Sequence, residues 1–221
     1  MSSQGESVDS GQPGAGAGGH SAATLYEAAG LECACRPGLR PSWAGARIAG
    51  LAYPVAGIGG DNLALHHAVA HAPAGHVLVA DLQGAAHGYW GEILTVAAQQ
   101  RGLLGLVIDG GVRDIAELAA LGFPVFASSV TVLGTGKEHQ GRLGQPIALR
   151  GVRVSTGDLI VADVDGVVVL PAAEAAAIIR RADRRLQHEK QIITGLRAGR
   201  TTVQLYGLPD RDTQVDAEQA W

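Results

Sequence analysis

A chain of 221 residues, 47 % hydrophobic and 17 % charged, is long enough to fold as one domain with a substantial core. Seventeen Lys and Arg against 21 Asp and Glu give a formal charge of −4, which leaves no basic footprint for nucleic acid. No stretch reaches the roughly eighteen apolar residues of a membrane span and the first residues form no basic-then-apolar leader, so we expect a cytoplasmic protein that meets small molecules or copies of itself.

Residues 1–22 are rich in Gly, Ser, Ala and Gln without apolar periodicity and are expected to be a disordered tail, ahead of a single domain over 23–208 and a second tail over 209–221. A short helix is predicted from Thr24 to Ala29, stopped by Gly30, followed by a loop from Arg36 to Gly45. Cys33 and Cys35 stand two residues apart, a poor spacing for a mutual bridge, and are read as free thiols. Arg47 to Val55 alternates as a strand, and Asp61 then caps a helix running to about Ala72. That helix carries His66, His67 and His71. His67 and His71, at i,i+4, have the spacing of a metal clamp but lack the intervening Glu of the metalloprotease pattern, so hydrogen-bonded or interface histidines are the better reading.

His76 to Leu82 is an apolar strand that leads into a small-residue loop, Gln83 to Gly88, where His87 is read as an exposed loop histidine. Next comes the stretch richest in chemistry, GYWGEILTVAAQQRGLLGLVIDGGVRD. A helix starts at Gly91-Glu92 and stops at Gly102. An apolar strand, Leu106 to Ile108, then ends in Asp109-Gly110-Gly111-Val112-Arg113-Asp114. Backbone N–H groups at the helix start, with the positive end of the helix dipole, suit a substrate carboxylate. Arg113 adds a planar charged fork, Asp114 a hard oxygen ligand for Mg2+ or Mn2+, and Glu92 a carboxylate for the water shell of the same ion. In the bland alternative, Asp114 merely caps the helix Ile115–Leu121 and Arg113 pairs with Glu117.

Beyond Asp114 the pattern gives that helix, a strand from Pro124 to Ala127, and a glycine-rich polar loop holding Lys137. Strands follow at Val152–Val154, Asp158–Ala162 and Val167–Leu170; Asp163 and Asp165 between them are read as a turn rather than as metal ligands. A long helix is expected from Pro171 to about Ala198. Its apolar stripe is interrupted by Glu189, a carboxylate that needs a partner, for which Arg185 at i−4 is the local candidate.

Glu92, twenty residues, then Arg113-Asp114 resembles the Gly-Asp/Glu-x20-Arg-Asp signature of the class II pyruvate aldolases acting on 4-hydroxy-4-methyl-2-oxoglutarate and 4-carboxy-4-hydroxy-2-oxoadipate, and of the related regulator of ribonuclease activity A. The resemblance runs from Val55 to Leu208 through GDNLALHHA, GFPVF, the TGK segment, GDLIVADVDGVVVLP and TTVQLYGL. It implies a three-layer β/β/α domain of the α/β class with a long C-terminal helix, assembled as a homotrimer or homohexamer.

It also implies a retro-aldol cleavage yielding pyruvate and a second 2-oxo acid, with oxaloacetate decarboxylation as a side activity. In that scheme Asp114 binds a divalent Mg2+ or Mn2+, and Glu92 acts through water, as does Glu189 reaching in from a neighbouring subunit. Arg113 faces the ketone oxygen, the backbone at Gly91, Ile93 and Leu94 holds the carboxylate, and Lys137 attracts a second carboxylate or a developing oxyanion. The family commonly reads Ala-Arg-Gly after GFPVF and Asn-x-Pro before the next strand. Here Ala127-Ser128-Ser129 and Gly144-Gln145-Pro146 stand instead, at an edge expected to face substrate. A Schiff-base aldolase using Lys137, and a non-catalytic protein-binding regulator, are the rival expectations.

Overall fold

The computed structural model describes residues 17–211. In chain order its regular elements begin with α1 (Ala22–Ala29), β1 (Arg40–Pro41), β2 (Ile48–Ala56), α2 (Leu63–His71) and β3 (His76–Asp81). These lead into β4 (Gly88–Trp90), α3 (Glu92–Gln100), β5 (Gly105–Val112), α4 (Ile115–Ala120) and β6 (Val125–Val130). Then come β7 (Arg142–Leu143), β8 (Ile147–Leu149), β9 (Val152–Val154), β10 (Leu159–Asp163), β11 (Gly166–Leu170), α5 (Ala175–Arg197) and α6 (Thr202–Tyr206).

Alternation along the central strands builds the layers. In β3, Val77 and Val79 enter one core and Leu78 and Ala80 the opposite one, as the period of two requires. The second core is closed by Ala64, Leu65 and Ala68 of α2, Leu94 and Ala98 of α3, and Leu118 of α4. The first is closed by Ile147, Leu149, Val152 and Val154 of the β8–β9 hairpin. Hairpin, main sheet and helices are therefore the three layers of a β/β/α domain. A third cluster, around Leu25, Ile178 and Ala182, fixes α1 and the long C-terminal helix α5 to β10 and β11.

The main sheet runs β1-β6-β5-β3-β2-β10-β11, with β4 on β5 and β7 on β2. Strands β2, β3, β5 and β6 pair in parallel, and the helices between them cross on one face. The crossovers bring the carboxyl ends of these strands to a single edge, where open α/β sheets bind ligands.

Several boundaries move from those expected. Strand β5 continues through Asp109, Gly110 and Gly111 rather than turning there. The two glycines serve close packing instead: a Cβ on Gly111 would lie 2.6 Å from the His87 carbonyl oxygen and one on Gly110 3.0 Å from the Tyr89 ring. Helix α2 starts from Asn62, not Asp61, whose side chain accepts the Leu63 N–H at 2.9 Å. Helix α5 begins at Ala175, after a turn closed by Glu174 N–H to Pro171 O at 2.9 Å. The short strands β4, β7 and β8 and the helix α6, with its Thr201/Gln204 capping box, were not expected.

Of the expected tails, residues 1–16 and 212–221 lie outside the described residues. Within 17–22 the chain is packed: Ala17 is fully buried, and His20 Nε2 lies 3.1 Å from Asp183 Oδ1 on α5. Both cysteines are free, and Asp163 forms the expected turn, its Oδ1 accepting the Asp165 N–H at 3.0 Å. Among the described residues no helix is long and apolar enough to cross a membrane.

Candidate active site at the β4–β5 edge

Strands β4 and β5 run side by side and deliver two short segments to the same place, Gly91-Glu92 at the start of α3 and Arg113-Asp114 at the end of β5. The Arg113 N–H donates to Trp90 O at 2.9 Å, which fixes their offset. Asp114 Oδ2 then accepts the Glu92 N–H at 3.0 Å and lies 3.7 Å from Arg113 Nε. A Cβ on residue 91 would overlap the Asp114 carboxylate, so only glycine fits there. Asp114 itself adopts the left-handed conformation (φ 58°, ψ 44°), which Asp and Asn tolerate better than other non-glycine residues and which is a mark of functional sites.

This geometry overturns the bland alternative. Asp114 occupies the position ahead of α4, but its side chain makes no capping bond to that helix. It closes the neighbouring helix α3 instead. Arg113 has Asp114 as its ion partner among the described residues, not Glu117.

The first N–H of α3 is thus taken by Asp114, and the first to turn back within the chain is Thr95, donating to Gly91 O at 3.1 Å. The N–H groups of Ile93 and Leu94 lie between these two bonds, ahead of the helical ladder, where an oxyanion is favoured. Gly91, at the N-cap position, has no side chain to take either of them.

The opposite wall comes from the start of α2 and the loop after β6. Asp61 is 5 % exposed; its Oδ2 accepts the Glu138 N–H at 2.6 Å while its Oδ1 holds Leu63. Gly136 donates to Gly60 O at 2.7 Å, and Asn62 to Gly136 O at 3.1 Å. Burial pushes the Asp61 carboxyl up, but the N–H groups of Glu138, Leu63 and His139, with the His139 ring, outweigh it and hold it below its ordinary value. The glycine-rich loop is consequently pinned rather than loose, with Lys137 over the cleft and without an ion partner among the described residues. His66, one turn after Asn62, is held below the ordinary histidine range by burial first, then by the charge of Lys137 and by His67.

Together these walls enclose a cleft of about 250 Å3. Of the residues singled out in the sequence, Gly91, Ile93, Leu94, Arg113, Asp114 and Lys137 line it. Glu92 is exposed at the helix start and contributes its backbone to Asp114, not its side chain to the lining. Glu189 lies elsewhere on the same chain, on α5, where Arg185 Nε holds its carboxylate at 2.9 Å and Arg185 also binds Glu27. Asn62, His66 and Tyr89 also line the cleft and were missed. The i,i+4 spacing of Asn62 and His66 at a helix start was the available signal. Asp109 faces away and is paired with Arg150 Nη1 at 2.8 Å, and His87 is half-buried beside Tyr89 rather than exposed.

Among the described residues no three His, Cys, Asp or Glu side chains converge as a ready-made metal cage. A single carboxylate at Asp114, in a cleft open to solvent and substrate, fits a hard cation that keeps most of its waters and takes oxygens from the substrate. The rings of His67 and His71 stack 6.3 Å apart over a separate depression beside Gln140 and Gly141, with no third ligand among the described residues.

A family model described as aldolase/RraA, RraA-like, matches residues 22–169. The chain is 35 % identical over 140 residues to a Halalkalibacterium halodurans protein provisionally named a 4-hydroxy-4-methyl-2-oxoglutarate aldolase, covering 63 % of this chain and 67 % of that protein. It is 32 % identical over 112 residues to the Thermus thermophilus protein named 4-hydroxy-4-methyl-2-oxoglutarate aldolase, covering 50 % and 68 %. The solved structure of Streptomyces coelicolor RraAS2, described as an unusual member of the RNase ES inhibitor RraA family, superposes with a TM-score of 0.73 at 26 % identity, over 84 % of this chain and 98 % of that one. From fold and sequence alike, the chain belongs to the aldolase/RraA-like family.

Proposed function

We propose that this protein is a divalent-metal-dependent aldolase that cleaves a 4-hydroxy-2-oxo di- or tricarboxylate, of the 4-hydroxy-4-methyl-2-oxoglutarate or 4-carboxy-4-hydroxy-2-oxoadipate kind, into pyruvate and a second 2-oxo acid. The carrying observation is the Asp114 carboxylate, which stands between the N-terminus of α3 and Arg113 on the wall of one cleft. The names borne by the two bacterial relatives support the same reading.

In the proposed reaction the C4 hydroxyl loses its proton and the C3–C4 bond breaks. The electron pair moves into an enolate on the C2 oxygen, and C3 then takes up a proton. The N–H groups of Ile93 and Leu94 hold the C1 carboxylate. Arg113 lies against the C2 oxygen and stabilises the charge that develops there. Lys137 draws the carboxylate of the leaving half to the far wall. Asp114 would hold Mg2+ or Mn2+ directly, with Glu92 and a second copy's Glu189 acting through its waters. Such an ion, when bound, supplies Lewis-acid polarisation of the ketone. Oxaloacetate, which loses CO2 to give the same enolate, is the expected side substrate.

Pyruvate release from the two substrates, with Mg2+ or EDTA, for wild type and Asp114→Ala, tests this. Turnover that needs metal and falls by at least about 100-fold in Asp114→Ala is the expected result. The kinship with RraAS2 favours a second reading, a protein-binding regulator. Folded, metal-loaded protein that turns over none of these acids yet binds a protein partner stoichiometrically would establish it.

A further inference from the structure

The far wall of the cleft contains an acceptor that nothing among the described residues uses. Asn62 is 6 % exposed and lines the cleft, and its Nδ2 donates to Tyr89 O at 2.9 Å. That bond fixes the amide orientation, since the flipped amide would set its oxygen against the Tyr89 carbonyl. The other end of the amide, Oδ1, is buried and has no hydrogen-bond partner among the described residues. Buried side-chain acceptors are seldom left so, and an orphan at a binding cleft marks a place where a ligand donor completes the set.

The neighbours restrict what that donor is. Lys137 and His66 share this wall, while the α3 amides, Arg113 and Asp114 form the other. An anion held near Lys137 that also carries a hydroxyl group satisfies both the cation and the amide oxygen. An ionised carboxylate or a ketone brings only acceptors and would repel Oδ1.

We propose that Asn62 is the residue that recognises the hydroxyl of the substrate's leaving half, accepting its O–H at Oδ1 while Lys137 holds the carboxylate on the same carbon. The inference rests on the aldolase reading above and deepens it. Asn62 is a binding and positioning residue: an amide oxygen accepts a hydrogen bond but does not remove the proton. Its second consequence concerns turnover. After cleavage the leaving carbon carries a ketone, which cannot donate, so the same oxygen holds the substrate and not the second product.

The test compares two acids that differ in one hydroxyl and cannot undergo retro-aldol cleavage because they lack the 2-oxo group. Citramalate carries hydroxyl, methyl and carboxylate on one carbon; methylsuccinate lacks the hydroxyl. Calorimetric titration of both into metal-loaded wild type, Asn62→Ala and Asn62→Asp gives an affinity ratio for each protein. We expect wild type to prefer citramalate by about 10- to 100-fold, the range for leaving a buried acceptor unpaired. The ratio should fall to within about threefold of unity in Asn62→Ala and be largely kept in Asn62→Asp.

Both variants lose the Nδ2 bond to Tyr89, but only the alanine loses the acceptor, so their difference isolates Oδ1 from any loosening of the fold. Failure of wild type to bind citramalate, an equal affinity for the two acids, or a preference that survives in Asn62→Ala would each overturn the proposal. None of these readouts depends on turnover, so absence of lyase activity would count against the aldolase reading alone.

Discussion

Asp61 and Glu138 are 77 positions apart, and the carboxylate of the first holds the backbone N–H of the second at 2.6 Å. This bond ties the start of α2 to the loop that carries Lys137, so the two halves of the far wall move as one. Asp61→Ala should therefore lower stability by about 2–3 kcal/mol, the range for a buried charged acceptor with several donors, and also raise KM for a carboxylate substrate. Because the folded carboxyl lies below its ordinary value, this stabilisation is complete above the unfolded carboxylate value of about 3.9 and is lost as pH falls through the folded one. Urea midpoints for wild type and Asp61→Asn should differ at pH 7 and draw together as pH falls from the unfolded carboxylate value through the lower folded one. A constant difference across that range would refute the assignment.

Gly91 is required by contact rather than by backbone angle, since its φ of −159° is ordinary extended backbone. A methyl group there meets Asp114 and comes within 3.1 Å of Arg113 Cγ. Gly91→Ala should leave the fold intact but displace both functional side chains, at a cost of about 100-fold in kcat/KM, as misplacement by an ångström commonly does. Circular dichroism and steady-state kinetics read the two effects separately.

His66 reports on Lys137. Burial is the larger cause of its depressed value and the lysine charge the next. Lys137→Gln should raise the His66 value, seen in the NMR titration of its ring protons, without returning it to that of an exposed histidine. A His66 titration unmoved by the substitution would show that the loop does not hold Lys137 near α2 in solution.

The parts of this fold that the sequence made legible are those written in local periodicity. The apolar run of His76–Asp81, the helix from Glu92 and the Asp163–Gly166 turn are each decided within about ten residues, and each lies close to where it was expected. What was missed depends on partners far along the chain. Two-residue β7 exists because β2 offers it an edge, and Ala17 is buried in the cluster that α1, α5, β10 and β11 build together. The site divides the same way. Arg113 and Asp114 were recognisable from their motif, but the role of Asp114 as acceptor for the neighbouring helix depends on a contact across 22 residues. The role of Asn62 was hidden for a similar reason: its spacing from His66 could place it at a helix start, but only the fold shows its Nδ2 held by Tyr89 and its Oδ1 without a partner among the described residues.

Glu189 supplies the test of assembly. Within one chain it is paired with Arg185 and stands outside the cleft, so a role in catalysis requires a second copy to bring it there. Exposed Ile193, Leu196, Val203 and Tyr206 around the end of α5 offer apolar surface for such a contact. If the site is shared, Asp114→Ala and Glu189→Gln subunits should each be inactive alone. Refolded together in equal amounts they should recover about a quarter of wild-type activity, because one site in four then pairs an intact Asp114 with an intact Glu189 from its neighbour. Light scattering on the same samples gives the oligomer present. A mixture that stays inactive despite forming mixed oligomers would place Glu189 in the surface network with Arg185 and Glu27 and leave the site complete within one chain.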